Sequence, residues 1–240
     1  MDQLTRNHFF NGNIVLNQPD TGYRFSIDAV ILSHLVCPAP GETVLDLGTG
    51  CGVIPIMLAF RHPEIRVIGV EIQPSLSRLA RQNVADNRVA DRVGIVDKDI
   101  GHLSLADIGG PVDLVVTNPP YRKLDSGRIN ADSQKAVARH ELKVDLETVL
   151  LTARRMLRRF GRFSIIYPSV RAVDLLAAMR SSGLEPKKLT MIHSKSTSPA
   201  RLVAVSGIKG GRPGLEAGPP LFLYNEDGTY SRVVETMFSA

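Results

Sequence analysis

The sequence has little cysteine, no long apolar run and no clustered histidines. Its 240 residues include two cysteines, Cys37 and Cys51, too few for a disulfide framework or a cysteine-based metal site. The histidines show no spacing of the kind that holds a metal ion. No apolar run approaches the roughly 20 residues of a membrane-spanning helix, and residues 1–6 lack the basic start of a signal peptide. We therefore expect a cytoplasmic protein without a membrane segment or a bound metal.

The overall composition is that of a globular protein with a substantial core. Hydrophobic residues make up 43% of the chain and charged residues 22%. The net charge of +5 and the pI of about 9.4 are compatible with a nucleic-acid partner, although many basic proteins bind none. The length favours one domain over residues 1–240, with an N-terminal extension at 1–40, a core at 41–207 and a C-terminal segment at 208–240.

Apolar runs alternate with segments of helical periodicity along the core. This alternation predicts an α/β fold, a Rossmann-like, doubly wound and mostly parallel sheet of seven strands with helices on both faces. The polar segment from Arg122 to about Lys143 and the Gly/Pro-rich segment 207–220 are expected to be loops. The predicted strands are Thr43–Leu47, Arg66–Val70, Val93–Val96, Val112–Thr117, Phe163–Tyr167, Leu189–His193 and Leu202–Ser206, with Leu221–Tyr224 as a further candidate. The predicted helices are Val53–Phe60, Ser75–Asn87, Leu146–Arg159 and about Val170–Ser181.

The residues Asn118-Pro119-Pro120-Tyr121 follow the apolar run Val112–Thr117, which is predicted to be a buried strand. Two consecutive prolines cannot continue a central strand, because neither has an N–H group for the hydrogen-bond ladder. The strand therefore ends abruptly and presents an amide, two backbone carbonyls and an aromatic ring. Because ligands of α/β sheets bind at the carboxyl ends of strands, these residues predict a site for a flat group that carries an amine.

A glycine-rich turn, residues 48–52 (Gly-Thr-Gly-Cys-Gly), joins the first predicted strand of the core to a helix. Glycines allow the backbone to turn tightly and to approach a ligand closely. A dinucleotide site would have a further glycine where Val53 stands. Asp46, two residues before the turn, is unfavourable beside a pyrophosphate but suits a positively charged ligand. S-adenosylmethionine is such a ligand, since it carries an ammonium and a sulfonium group and no phosphate.

Acidic residues follow the next two predicted strands. Glu71 closes the second strand, where an acidic side chain can accept both ribose hydroxyls of a nucleotide. Asp99 follows the third strand and can accept a hydrogen bond from an adenine amino group, although Asp97 offers the same chemistry two residues earlier. The predicted S-adenosylmethionine site comprises Asp46, Gly48, Thr49, Gly50, Gly52, Glu71, Ile72, Asp99 and Asn118.

The glycine turn and the Asn-Pro-Pro-Tyr residues together resemble those of class I S-adenosylmethionine-dependent methyltransferases that modify exocyclic or amide nitrogens. Within that class, the whole chain is most similar to the bacterial tRNA1(Val) adenine-N6-methyltransferases. Three further segments carry this resemblance. Residues 25–32 are similar to the segment that leads into the family's first helix, 138–141 to its substrate-side loop, and 225–231 to its C-terminus.

The resemblance implies a catalytic role for Asn118, Pro119, Pro120 and Tyr121. The Asn118 side chain would accept one N–H of the target amine, the Pro119 carbonyl would accept the other, and Tyr121 would stack on the base. The implied cofactor is S-adenosylmethionine, and the implied partner is tRNA, methylated on an adenine N6 in the anticodon loop. Candidate substrate contacts are Tyr23, Phe25, Arg122, Lys123, Lys135 and Arg139.

Other functions use the same motifs. A protein glutamine N5-methyltransferase methylates an amide with these four residues, but that family normally carries a helical N-terminal domain, and about 40 residues precede the first core strand here. Methyltransferases of rRNA or DNA amino groups are further alternatives. A catalytically silent S-adenosylmethionine-binding subunit is disfavoured, because it would have no reason to keep Asn118-Pro119-Pro120-Tyr121. The sequence leaves open the oligomeric state, the tRNA and the adenine.

Overall fold

The computed structural model describes residues 4–20, 27–119 and 146–239. These residues form a small hairpin and a large mixed sheet, with helices on both faces of the sheet. The strands are β1 (Leu4–Phe9), β2 (Ile14–Pro19), β3 (Thr43–Leu47), β4 (Arg66–Glu71), β5 (Val93–Asp97), β6 (Val112–Thr117), β7 (Leu157–Pro168), β8 (Leu184–His193), β9 (Ala200–Lys209), β10 (Glu216–Ala217) and β11 (Leu221–Phe222). The helices are α1 (Ile27–Leu35), α2 (Val53–Arg61), α3 (Pro74–Asp86), α4 (Leu146–Met156), α5 (Ala172–Ser181) and α6 (Arg232–Ser239).

The large sheet has the strand order β10-β8-β9-β7-β6-β3-β4-β5, and β11 also pairs with β8. Strands β3 to β7 run parallel to their neighbours within that group, whereas β9 is antiparallel to both β7 and β8. The seven strands expected from the sequence are all present, and the two-residue strands β10 and β11 extend the sheet beside β8. The predicted α/β, mostly parallel and doubly wound fold is therefore confirmed.

Alternate residues of the central strands face two separate cores. Val44 and Val116 contribute to the core that α1, α2 and α3 cover, together with the hairpin. Leu45 and Val115 contribute to the core beneath α4 and α5. Because side chains alternate across a strand, a strand buried on both faces reads as a continuous apolar run.

Parts of the chain beyond the expected strands and helices are also ordered. The N-terminal extension contains the antiparallel hairpin β1–β2, to which the sequence had assigned no structure. Helix α6 lies against it, with the rings of Phe9 and Phe238 stacked at 5.8 Å. Strand β9 continues to Lys209, and Glu216–Ala217 pairs with β8, so the expected surface loop at 207–220 is partly strand.

The boundary between α4 and β7 differs from the expectation. The predicted helix Leu146–Arg159 ends at Met156, and β7 begins at Leu157 rather than Phe163. Leu157 is buried and pairs with Val112 of β6. An apolar residue at this position would be buried either as the last residue of a helical stripe or as the first residue of a strand. Apolar spacing alone cannot separate these two outcomes. Among the described residues, no helix has the length and apolar character needed to cross a bilayer.

Candidate cofactor and catalytic site

The turn between β3 and α2 has a backbone that requires glycine. Gly48, Gly50 and Gly52 have φ angles of +77°, +59° and +87°, a region that residues with a side chain rarely adopt. The N–H groups of Gly48 and Thr49 both donate to the Val70 carbonyl, at 3.0 and 2.9 Å. These hydrogen bonds hold the turn against the carboxyl end of β4.

Close packing beneath the turn leaves no room for larger residues. A Cβ atom on Gly69 of β4 would lie 2.8 Å from the Thr49 hydroxyl oxygen. A Cβ atom on Gly52 would lie 3.3 Å from the Ala80 Cβ of α3. The position of the turn is therefore fixed by contacts with β4 on one side and α3 on the other.

Glu71 stands at the end of β4 and is held by backbone donors. One carboxylate oxygen accepts the Gly50 N–H at 2.8 Å, and the other accepts the Gln73 N–H at 2.9 Å. Burial raises the pKa of this carboxyl group, while these backbone hydrogen bonds oppose the rise. Each oxygen keeps a further lone pair, so the fixed carboxylate can accept two neighbouring hydroxyl groups.

Asp46 is a buried acid without a satisfied carboxylate. It is fully buried, and neither carboxylate oxygen has a hydrogen-bond partner among the described residues. Burial raises its pKa to about 7; the nearby Thr49 hydroxyl lowers the pKa, and the charge on Glu71 raises it further. An unpartnered acid of this kind beside a glycine turn fits a ligand that brings positive charge.

A cleft of about 400 Å³ opens at the carboxyl ends of β3, β4 and β6, and it is mostly apolar. Of the two candidate acids at the end of β5, Asp99 lines this cleft and also accepts the Gly101 N–H at 2.8 Å. Asp97 instead forms an ion pair with Arg81 at 3.1 Å. The cleft is lined by Leu47, Gly48, Val70, Glu71, Ile72, Asp99, Ile100, Thr117, Pro119 and Val149.

The Asn-Pro-Pro-Tyr residues begin at this cleft. The Thr117 hydroxyl, at the end of β6, donates to the Leu47 carbonyl of β3 at 2.9 Å and is fully buried. This bond ties the end of β6 to the strand that leads into the glycine turn. Asn118 follows and is half-buried, and Pro119 lines the cleft. The other candidate contacts lie outside the described residues, namely Pro120, Tyr121, Tyr23, Phe25, Arg122, Lys123, Lys135 and Arg139.

Several apolar residues of the cleft were not identified from the sequence as site residues, although Ile72 and Pro119 were. Val149 was assigned only to the apolar stripe of α4, and Ile100 was not singled out at all. Only the packing of α4 across the end of the sheet brings Val149 to the cleft, so no local pattern could have found it. Within residues 4–20, 27–119 and 146–239, no three His, Cys, Asp or Glu side chains converge into a group that could hold a metal ion.

The methyltransferase small domain family matches residues 28–170 of this chain. The chain belongs to this family. A tRNA1(Val) (adenine(37)-N6)-methyltransferase of Porphyromonas gingivalis is 35% identical over 185 residues, which cover 75% of this chain and 72% of that protein. An enzyme of the same name from Pedobacter heparinus is 29% identical over 228 residues, or 94% of each chain. The chain is therefore a methyltransferase, as its sequence predicted.

Solved methyltransferase structures share the fold. A predicted O-methyltransferase from Agrobacterium tumefaciens superposes with a TM-score of 0.70 at 22% identity, over 88% of this chain and 94% of that one. Geranyl diphosphate C-methyltransferase from Streptomyces coelicolor, which was solved with S-adenosyl-L-homocysteine, gives a TM-score of 0.54 at 15% identity, over 75% and 79% of the two chains. Membership of the methyltransferase small domain family indicates S-adenosylmethionine as the cofactor of this chain, as the sequence predicted.

Proposed function

We propose that this methyltransferase methylates the exocyclic N6 of an adenine in tRNA, and that the adenine lies in the anticodon loop. The observation that carries the proposal is the position of Asn118 and Pro119 at the end of β6, beside the glycine turn and the cleft. The names of the curated relatives support adenine 37 of tRNA1(Val) as the target. One domain over residues 1–240 would carry out this reaction in the cytoplasm.

The residues around the glycine turn fit S-adenosylmethionine, which supplies a methyl group on a positively charged sulfur. The fixed Glu71 carboxylate would accept the ribose hydroxyls, and Asp99 would accept from the adenine amino group. Ile72 and the apolar walls of the cleft would cover the adenine ring. The Asp46 carboxylate would gain the positive partner that it lacks. Gly48, Thr49, Gly50 and Gly52 would bring the backbone within reach of the cofactor.

Asn118 and Pro119 would orient the amine that receives the methyl group. The lone pair of an adenine N6 is delocalised into the ring, and the amine is too weak an acid for a general base to deprotonate. The Asn118 oxygen and the Pro119 carbonyl would instead each accept one N–H, which directs the lone pair towards the methyl group. Because both acceptors are neutral, the proton would leave to water after transfer. Orientation of this kind can lower a barrier by roughly 7–11 kcal/mol.

Recognition of tRNA would combine stacking with phosphate contacts. We propose that Tyr121, Tyr23 and Phe25 contact the target base at the entrance, where an aromatic face accepts any planar group. Turning the base out costs least where the strand is already unpaired, as in an anticodon loop. The proposed phosphate contacts are Arg122, Lys123, Lys135 and Arg139.

Product analysis tests the substrate. The protein is incubated with labelled S-adenosylmethionine and, in separate reactions, with bulk tRNA, DNA or a release factor, and each product is digested and identified. We expect labelled N6-methyladenosine from tRNA. Label on protein glutamine alone would overturn the proposal in favour of a glutamine N5-methyltransferase.

An Asn118→Ala variant tests the orientation of the amine. Losing one of two acceptors leaves the amine misdirected, and misplacement by about 1 Å can cost about 100-fold in rate. We therefore expect kcat to fall by about 100-fold or more. The dissociation constant for S-adenosylhomocysteine, measured by calorimetry, should change by less than about threefold. A large loss of cofactor affinity would mean that Asn118 serves mainly the cofactor.

A further inference from the structure

Two asparagine side chains join the N-terminal hairpin to helix α3. Asn87, at the C-terminal cap of α3, accepts the Val15 N–H at 2.8 Å and donates to the Val15 carbonyl at 2.7 Å. Asn83, one turn earlier, accepts the Asn17 N–H at 2.9 Å and donates to the Asn17 carbonyl at 2.8 Å. Each amide therefore pairs with the backbone of β2 as a neighbouring strand would.

The spacing of the helix matches that of the strand. Four residues of an α-helix rise about 6 Å, whereas alternate residues of a strand lie about 6.7 Å apart. Val15 and Asn17 are alternate residues, so their backbone groups face the same edge of β2. Asn87 therefore reaches Val15, and Asn83 reaches Asn17. These hydrogen bonds to backbone groups therefore set the register of β2 against α3.

Asn83 makes one contact that Asn87 does not. Its amide nitrogen also donates to the Cys51 carbonyl at 2.9 Å, inside the glycine turn. Asn83 and Cys51 are both fully buried, so losing this donor would leave the Cys51 carbonyl buried without a partner for its hydrogen bond, which costs stability at the turn. On the other side of Cys51, the Gly50 N–H is held by Glu71 at 2.8 Å. The turn is therefore held from both sides, by Glu71 and by Asn83.

We propose that Asn83 is a positioning residue for the cofactor turn, and that it couples binding of S-adenosylmethionine to docking of the N-terminal hairpin. A single amide links the Asn17 backbone of β2 to the Cys51 carbonyl, so each partner restricts the conformations open to the other. Because such coupling is reciprocal, cofactor binding should stabilise the hairpin, and docking of the hairpin should strengthen cofactor binding. The proposal requires the cofactor site and does not depend on which substrate is methylated.

Paired variants separate the turn from the hairpin. Asn83→Ala and Asn87→Ala each remove two hydrogen bonds to β2, but only Asn83→Ala also frees the Cys51 carbonyl. We expect Asn83→Ala to raise the dissociation constant for S-adenosylhomocysteine and the KM for S-adenosylmethionine by about 5- to 30-fold, with kcat changed less than about threefold. Asn87→Ala should lower the melting temperature, yet change both constants by less than about twofold. Equal losses of affinity in the two variants, or no loss in Asn83→Ala, would overturn the proposal.

Hydrogen exchange of the unaltered protein gives a test that does not depend on whether a variant folds. Saturating S-adenosylhomocysteine should slow exchange of the Asn17 amide, which Asn83 accepts, by about fivefold or more. Unchanged exchange at Asn17, despite complete occupancy shown by calorimetry, would overturn the coupling. If the unaltered protein bound no S-adenosylhomocysteine, the assignment of the cofactor site would be wrong. Failure of the tRNA assay would instead contradict only the proposed substrate.

Discussion

The buried Asp46 carboxylate predicts that an Asp46→Asn variant is more stable than the unaltered protein when no cofactor is bound. Burial raises the pKa of Asp46 from 3.8 to about 7, and neither oxygen has a hydrogen-bond partner among the described residues. A group whose pKa rises on folding stabilises the fold fully only below its unfolded pKa. That contribution is lost as the pH rises from about 4 to about 7.

The size of this effect follows from the pKa. One pKa unit corresponds to about 1.4 kcal/mol, so a rise from 3.8 to about 7 destabilises the folded protein by at most about 4 kcal/mol above pH 7. Asparagine has nearly the same shape without the charge, and its buried amide without partners costs about 1–3 kcal/mol. The variant should therefore gain about 1–3 kcal/mol in free energy of unfolding at pH 8.

Urea unfolding of the cofactor-free proteins at pH 5 and pH 8 measures this gain. At pH 5 most of the folded protein carries a protonated Asp46, so the advantage of Asp46→Asn should be smaller there by about 2–3 kcal/mol. Asp97→Asn is the matched control. The Ser77 hydroxyl and Arg81 beside Asp97 lower its pKa, so it stabilises the fold above its unfolded pKa, and its removal should cost stability at pH 8.

Two outcomes would refute this explanation of Asp46. One is a variant no more stable than the unaltered protein at pH 8, and the other is a gain that is the same at both pH values. The variant should also bind S-adenosylhomocysteine about tenfold or more weakly, because the cofactor loses a negative partner. A more stable protein with a weaker cofactor site is the expected result when a site residue is kept for function rather than for the fold.

Three further changes test the site. Glu71→Gln keeps the size of the side chain but loses its charge, so the KM for S-adenosylmethionine should rise about tenfold or more in initial-rate assays. An unchanged KM would mean that Glu71 does not bind the ribose hydroxyls. Gly69→Ala would place a Cβ atom 2.8 Å from the Thr49 hydroxyl and should cost about 1–3 kcal/mol in urea unfolding. In the control Gly94→Ala, the added Cβ atom has no described residue within 4 Å, and an equal loss there would contradict the packing argument. Thr117→Val removes the bond to β3 and should cost about 1 kcal/mol and lower kcat; unchanged kcat would mean that this bond does not position the next residue.

The local sequence was sufficient to predict structure where a segment determines its own conformation. Val112–Thr117 is a strand with the predicted bounds, because a run of β-branched and apolar residues ends at two prolines that cannot continue it. The glycine turn was also predictable, since residues 48, 50 and 52 adopt positive φ angles. The sequence named Asp99 but kept Asp97 as an alternative, because the choice depends on Arg81 of α3, which forms an ion pair with Asp97.

Features that depend on contacts between distant segments could not be predicted. Asn83 and Asn87 read as ordinary helix-end residues, and only the docked hairpin gives their amides a backbone to pair with. Val149 reads as a core residue of α4 in any packing. The end of α4 at Met156 is set by the pairing of Leu157 with Val112, a partner 45 residues away in the chain.

The residues that sequence reasoning found, and those that it missed, differ in how they relate to the fold. Asp46 is a charge in a buried strand and is therefore unfavourable for stability, and the three turn glycines hold positive φ angles that other residues rarely adopt. Such residues stand out because the fold alone would not select them. Val149 and Ile100 suit both the core and the cleft, so the same residue type satisfies the two demands and leaves no signal. A sequence therefore reveals the polar and strained part of a cofactor site, whereas most of its apolar walls emerge only from the assembled structure.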